Sequence, residues 1–213
     1  LFFLFGCLMS YSQDNDSLIF KEFFYKNGKK SSEGFLRNGK PDYYWKNFYE
    51  NGILKSEGNR KDYLLDSLWI FYNDTGEIVS KINYKKSKKN GKKIDYYEDR
   101  IVEETYLDDV LHGISKVYYP NGNIKEYKKY SMGTIDSLHI EYSEEGLMVM
   151  IAEYDNGRLK LIQHINRRDY NGLKQGVWKT FYEGTMLLNV ECNYVNDKLN
   201  GYLKEYSKIG EII

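Results

Sequence analysis

The chain is short of cysteine and histidine and carries no helical periodicity of any length, and each shortage removes a class of function. Of its two cysteines, Cys7 sits in an apolar N-terminal run and Cys192 stands alone, leaving no internal disulfide, CxxC motif or zinc spacing. A lone thiol beside Val190 in a strand reads as a small packed residue. The three histidines, His112, His139 and His164, occupy different places in the pattern, and none has a ligand-spaced partner in its own segment. No glycine loop suited to cradling phosphate is present, and no Ser-His-Asp set can be assembled. The 31 basic and 31 acidic residues cancel, which argues against a surface built for nucleic acid or an anionic membrane. After the first nine residues, no stretch is long and apolar enough to span a bilayer.

What the chain does have is tyrosine, 22 of them, at a regular period. The series Tyr25, Tyr49, Tyr72, Tyr97, Tyr119, Tyr142, Tyr182 and Tyr206 advances by 24, 23, 25, 22, 23, 40 and 24 residues. A fixed period of this length marks a repeat architecture. Tyrosine covers apolar area while leaving its hydroxyl to water, so the excess predicts a sheet whose face is half buried.

Aligned on that series, one arm reads Trp45-Lys46-Asn47-Phe48-Tyr49, Leu68-Trp69-Ile70-Phe71-Tyr72 and Trp178-Lys179-Thr180-Phe181-Tyr182. Ser115 to Tyr119 and Lys93 to Tyr97 are further copies. Runs this rich in aromatic and β-branched residues favour strands. Turn signals follow at Asn27-Gly28, Asn51-Gly52, Thr75-Gly76 and Pro120-Asn121-Gly122, each marking a hairpin. The return arm carries Ile78, Ile101, Ile124 or Met148 after the turn and a second tyrosine series at Tyr84, Tyr106, Tyr130 and Tyr154. Polar breaks at Asp66-Ser67, His112-Gly113, Asp136-Ser137, Gln175-Gly176 and Asn200-Gly201 predict the looser turns into the next unit. Eight such units from Leu18 onward, strands at about 4.8 Å spacing, predict a rod or ribbon roughly 75 Å long.

The N-terminus differs from the rest. Leu1 to Met9, then Ser10-Tyr11-Ser12, resembles the apolar core and small-residue cleavage site of an export signal over residues 1–12, cut short at its start. Cys7 in Leu4-Phe5-Gly6-Cys7 offers the alternative of an acylated lipoprotein. The repeat array then occupies 13–154, an irregular insert or joint 155–176, and C-terminal repeats, cut short, 177–213.

The recurring pattern Trp-Lys-x-Phe/Tyr-Tyr-x-Asn-Gly-x-Ile/Leu-x-x-Glu resembles the MORN-repeat variant of the bacterial YwqK family, whose members are often labelled antitoxins of toxin–antitoxin systems. Asn166 to Lys179 is similar to that family's unit start, and the resemblance spans about Leu18 to Gly210. It implies an all-β array of tandem hairpins forming one elongated, twisted antiparallel sheet.

Three features carry candidate chemistry. Glu57, Glu126, Glu153 and Glu191 fall at similar places on return arms, where paired carboxylates could act on a glycan. Their recurrence with the scaffold points instead to a solvated face. Lys85, Lys86, Lys88, Lys89, Lys92 and Lys93 form the densest basic patch, read as a hairpin connection turning at Asn90-Gly91. Trp45, Tyr49, Trp69, Tyr72, Tyr119, Trp178 and Tyr182 form an aromatic ladder that holds the sheet and offers an interaction surface to protein or sugar. The reading that follows is a non-catalytic, exported scaffold with a protein partner. A glycan is the alternative ligand and an antitoxin the alternative role. No cofactor, metal, catalytic residue or nucleic acid is expected, and no transmembrane segment remains once the signal is removed.

Overall fold

The computed structural model describes residues 17–213. The segment 1–12, expected from the sequence to be an export signal, and Cys7 within it lie outside the described residues. The fold is all-β and antiparallel throughout. The first units are β1 (Leu18–Phe24), β2 (Lys30–Arg37), β3 (Lys40–Phe48), β4 (Leu54–Lys61), β5 (Leu64–Tyr72), β6 (Ile78–Lys85), β7 (Lys88–Tyr96) and β8 (Ile101–Leu107). The short β9 (Val110–Leu111) precedes β10 (Gly113–Tyr118), β11 (Ile124–Ser131), β12 (Thr134–Tyr142), β13 (Met148–Asp155) and β14 (Arg158–His164). These make a 14-stranded sheet in chain order, with β9 paired to β8 off the main path. The remainder, β15 (Arg167–Arg168), β16 (Lys174–Phe181), β17 (Leu188–Val195) and β18 (Lys198–Glu205), makes a four-stranded sheet.

Two kinds of turn alternate. The glycine-bearing turn closes through Tyr49 N–H donating to Ile53 O and Gly52 N–H to Tyr49 O, both at 2.8 Å. The same pair of bonds recurs at Tyr25, Asn73, Tyr119, Ser143, Asp169 and Ser207. Gly52 sits at φ 93°, where a side chain would be strained.

The second kind corrects the sequence reading. The polar breaks are not turns. Ser67 (φ 59°), Gly113 (φ 104°), Ser137 (φ 82°), Gly176 (φ 70°) and Gly201 (φ 97°) lie at left-handed positions within or at the start of strands. At Ser67 the pairing steps from Gly58↔Trp69 to Asn59↔Asp66, a β-bulge. Units are joined instead by two-residue turns, such as Asp62-Tyr63 (φ 50° and 60°), Lys86-Ser87 (52° and 64°) and Asp108-Asp109 (49° and 72°). Both residues of each are left-handed, the geometry that matches the twist of the flanking strands. Turns with two left-handed residues favour glycine, and side chains stand in its place here for a reason. Ser87 Oγ accepts from Leu65 N–H at 2.9 Å, Asp109 Oδ1 from Lys89 N–H at 2.8 Å and Asp197 Oδ1 from Lys174 N–H at 2.7 Å. Each turn thereby pins the strand start of the unit before it. Accordingly, Asn90-Gly91 lies inside β7, and the basic run turns at Lys86-Ser87.

Burial is thin, as sheets with no second layer packed on them require. Trp45, Trp69, Ile82, Ile140, Met150, Ala152, Ile165, Trp178 and Cys192 are the buried apolar residues among those described. Trp45 and Trp69 lie flat over glycines on neighbouring strands. A Cβ on Gly34 would come within 2.3 Å of Trp45, and one on Gly58 within 2.5 Å of Trp69. Glycine there lets a large indole press onto the backbone, which is the close-approach use of the residue.

The two sheets share no strand pairing; Asn166 is the buried link between them, and Lys179 Nζ of β16 also donates to Gln163 Oε1 of β14 at 2.9 Å. Asn166 is buried at 3% exposure, with φ 52°. Its side-chain amide donates to Met148 O and Lys179 O, both at 2.9 Å, and its Oδ1 accepts from Lys179 N–H at 2.7 Å. Its own N–H donates to Val177 O at 2.9 Å, while that of Ile165 donates to Val149 O at 3.0 Å. The line of chain through β14 and β15 changes partner at this point. A side-chain amide here does the work of a peptide group between β13 and β16.

Candidate functional site

The tyrosine series turns out to be two interleaved structural positions. Tyr25, Tyr49, Tyr119 and Tyr182 open a turn, whereas Tyr72, Tyr142 and Tyr206 stand one residue before one. The first kind donates its hydroxyl to the backbone carbonyl of the next unit. Tyr25 bonds Phe48 O at 2.6 Å, Tyr49 bonds Tyr72 O at 2.8 Å, Tyr119 bonds Tyr142 O at 2.8 Å and Tyr182 bonds Tyr206 O at 2.6 Å. The expectation of a hydroxyl left to water is thus corrected: these hydroxyls satisfy carbonyls in the adjacent repeat. Turn asparagines repeat the device, Asn51 Nδ2 reaching Asp74 O at 2.9 Å and Asn121 Nδ2 reaching Glu144 O at 3.0 Å.

This assigns most of the aromatic ladder to the scaffold. Trp45, Trp69 and Trp178 are buried, and Tyr49, Tyr72, Tyr119 and Tyr182 are half-buried with their hydroxyls bonded within the chain. The indole N–H of Trp69 donates to Asn59 O at 2.7 Å, and that of Trp45 to Asn47 Oδ1 at 3.1 Å. None of the three indoles presents an open face to a partner.

The carboxylates are likewise engaged. Glu57 and Glu191 are equivalent, opposite Lys46 and Lys179. Tyr72 donates to Glu57 at 2.7 Å and Tyr202 to Glu191 at 2.7 Å. Burial, then the bond to Glu57, pushes the Tyr72 phenol up to about 12. The bond to Glu191, then burial, does the same to Tyr202. Glu126 and Glu153 occupy other positions, and the four glutamates lie on β4, β11, β13 and β17, no two of them adjacent. A catalytic pair among these four is therefore not assembled.

The sheet does bring together residues that the sequence left apart. Across β11 and β12, Glu126 faces Glu141 and Lys128 faces His139. His139 Nε2 lies 2.9 Å from Glu126 Oε1 and 3.6 Å from Glu141 Oε1. Lys128 Nζ stands 2.5 Å from the same Glu126 oxygen and supplies positive charge to the group. Beside it, Arg100, Tyr119, Lys125, Glu126 and Glu141 line an open cleft of about 530 Å³. Nothing in the local sequence of any one of these residues signals the cluster, because it exists only once the strand register is known.

The basic patch is partly neutralised. Lys92 pairs with Glu103 at 2.9 Å, Lys93 with Asp95 at 2.5 Å and Glu104 at 3.6 Å, and Lys89 lies over the Tyr106 ring at 4.7 Å. Lys85, Lys86 and Lys88 remain exposed around the turn.

Exposed aromatics gather elsewhere. Seven of the ten exposed aromatic side chains among the described residues fall between Phe20 and Tyr63. At the bulge of β3 and the β4–β5 turn, Tyr43, Tyr44 and Tyr63 are 51%, 42% and 49% exposed. Buried Asp42 fixes this platform by binding Arg37 Nε at 2.7 Å and the Tyr43 N–H at 3.0 Å. The Arg37 guanidinium then lies 5.6 Å from the Tyr43 ring, and the Lys40 ammonium lies 4.2 Å from the Tyr63 ring. Arg37, Lys40, Pro41, Asp42 and Tyr63 line a cleft of about 360 Å³ between the β2–β3 and β4–β5 turns.

Residues 44–62, 65–86 and 111–131 match a family described as MORN repeat variant. The segments fall on β3–β4, β5–β6 and β9–β11, so each contains one hairpin closed by the glycine-bearing turn. No curated relative matches the chain.

Proposed function

We propose that this chain of MORN-type hairpins is an interaction scaffold that presents the Tyr43–Tyr63 platform to a protein partner and performs no chemistry of its own. The observation that carries the reading is the platform: aromatic rings and cations held open on a rigid bulge and the turns beside it, while the other recurrent aromatics are spent within the sheet. Tyr and Arg on a preorganised surface are the residues that dominate protein interfaces. We further place the scaffold in the cell envelope or outside the cell, on the strength of the apolar Leu1–Met9 run.

The test captures partners from envelope and cytosolic extracts of the source, using the chain and a Tyr43→Ala/Tyr63→Ala variant side by side. An envelope protein captured by the first and lost from the second supports the reading. Capture indifferent to the two substitutions removes the platform from it. A small cytosolic toxin as the partner replaces it with the antitoxin role, and retention of soluble glycan in place of protein replaces it with sugar binding.

A further inference from the structure

In the middle of the array, β14 has the exposure of an end strand. Its main chain pairs with β13 alone, although Gln163 Oε1 accepts from Lys179 Nζ at 2.9 Å, and six of its seven residues are exposed. Among the described strands longer than two residues, only β1 and β18 are as open. Leu159, Leu161 and Ile162 stand 51%, 42% and 47% exposed along it. The direction of its amides follows from one bond. Ile165 N–H points to Val149 O, so alternation turns the amides of Gln163 and Leu161 toward β13 and those of Ile162 and His164 outward. An outward row of backbone donors and acceptors is a ready template for pairing with another extended chain.

The charge of this edge selects among extended chains. Residues 158–168 contain Arg158, Lys160, His164, Arg167 and Arg168 with no Asp or Glu, in a protein whose charges cancel overall. Lys160 is tied to Asp155 at 3.1 Å, and Arg158 has no carboxylate partner among the described residues. A second copy of β14 laid antiparallel would set these cations against themselves, an unfavourable cross-strand arrangement. We propose that β14 binds an extended acidic peptide by strand addition, its main chain pairing with the outward edge at Ile162 and His164. Its carboxylates meet Arg158 and the cations beyond His164, and its intervening apolar side chains cover the exposed leucines and isoleucine. This site is separate from the Tyr43–Tyr63 platform, and either can fail without the other.

The test is a selection from a random-peptide library displayed on phage, with the whole chain as target. Enriched peptides are expected to alternate apolar residues with Asp or Glu and, on binding, to slow amide exchange at Ile162 and His164. Ile162→Pro removes an outward donor, and Arg158→Glu reverses a charge on an exposed side chain. Each should weaken binding roughly tenfold or more. Circular dichroism of Arg158→Glu separates lost binding from lost folding. No enrichment, enriched peptides without acidic residues, binding indifferent to both variants, or self-association of the chain through β14 would each overturn the proposal.

Discussion

The hydroxyl of Tyr49 donates to the backbone carbonyl of Tyr72 at 2.8 Å, across the boundary between two repeats. Tyr25, Tyr119 and Tyr182 do the same for their neighbours, so the bond is a structural unit of the array. Tyr49→Phe keeps the ring and deletes the bond. It should cost about 1 kcal/mol, read as a lower urea midpoint at unchanged slope. Tyr97 opens a shorter turn and is 51% exposed, so Tyr97→Phe should change stability by less than about 0.5 kcal/mol.

Gly58→Ala tests the contact between glycine and indole. The new Cβ would stand 2.5 Å from the Trp69 ring, which is 2% exposed and has little room to retreat. A loss of about 1–3 kcal/mol is expected from overpacking, together with altered Trp fluorescence. Restoring space with Trp69→Leu in the same chain should recover part of that loss, which a double-mutant cycle would measure.

Asn166→Ala removes the side-chain bridge between the two sheets. It strands Met148 O and both backbone groups of Lys179, and it places alanine at φ 52°. The expected loss is about 2–4 kcal/mol. Hydrogen exchange should show β15–β18 opening separately from β1–β14, where the unsubstituted chain protects both together.

Alkaline pH should weaken the fold over a defined window. The phenols of Tyr72, Tyr106 and Tyr202 are raised to about 12. A free tyrosine ionises near 10. Below about pH 10 the phenols are protonated in both states and the contribution is intact. Between about 10 and 12 only the unfolded chain releases the protons, so stability falls as pH rises. Phenolate absorbance should show a late-titrating fraction, and Glu191→Gln should move part of it to lower pH through Tyr202.

How much of this was legible in the sequence depended on whether a residue's partner was local. Asn51-Gly52 announces its turn because the strain is relieved within four residues. Asp62-Tyr63 and Lys86-Ser87 do not announce theirs, because left-handed backbone at Tyr and Lys is sustained by the surrounding sheet, and Ser87 earns its place through Leu65 in another unit. Glycines such as Gly113 and Gly176 therefore drew attention to bulges and away from the turns. Trp45 and Trp69 were visible as repeat markers, but their burial rests on Gly34 and Gly58 on neighbouring strands. Asn166 carried only a faint signal: an asparagine not followed by glycine, set between Ile165 and Arg167. The Glu126–His139–Glu141 cluster and the Tyr43–Tyr63 platform needed the register before they could be seen.

Tension applied along the array is shared among main-chain ladders at every boundary between long strands but one. Between β13 and β16 it runs through the amide of Asn166, the single thread of backbone on either side and the side-chain bond from Lys179 to Gln163. The protein therefore has a built-in mechanical fuse: stretched from its ends, it should part at Asn166 into two intact ribbons still tethered by covalent chain.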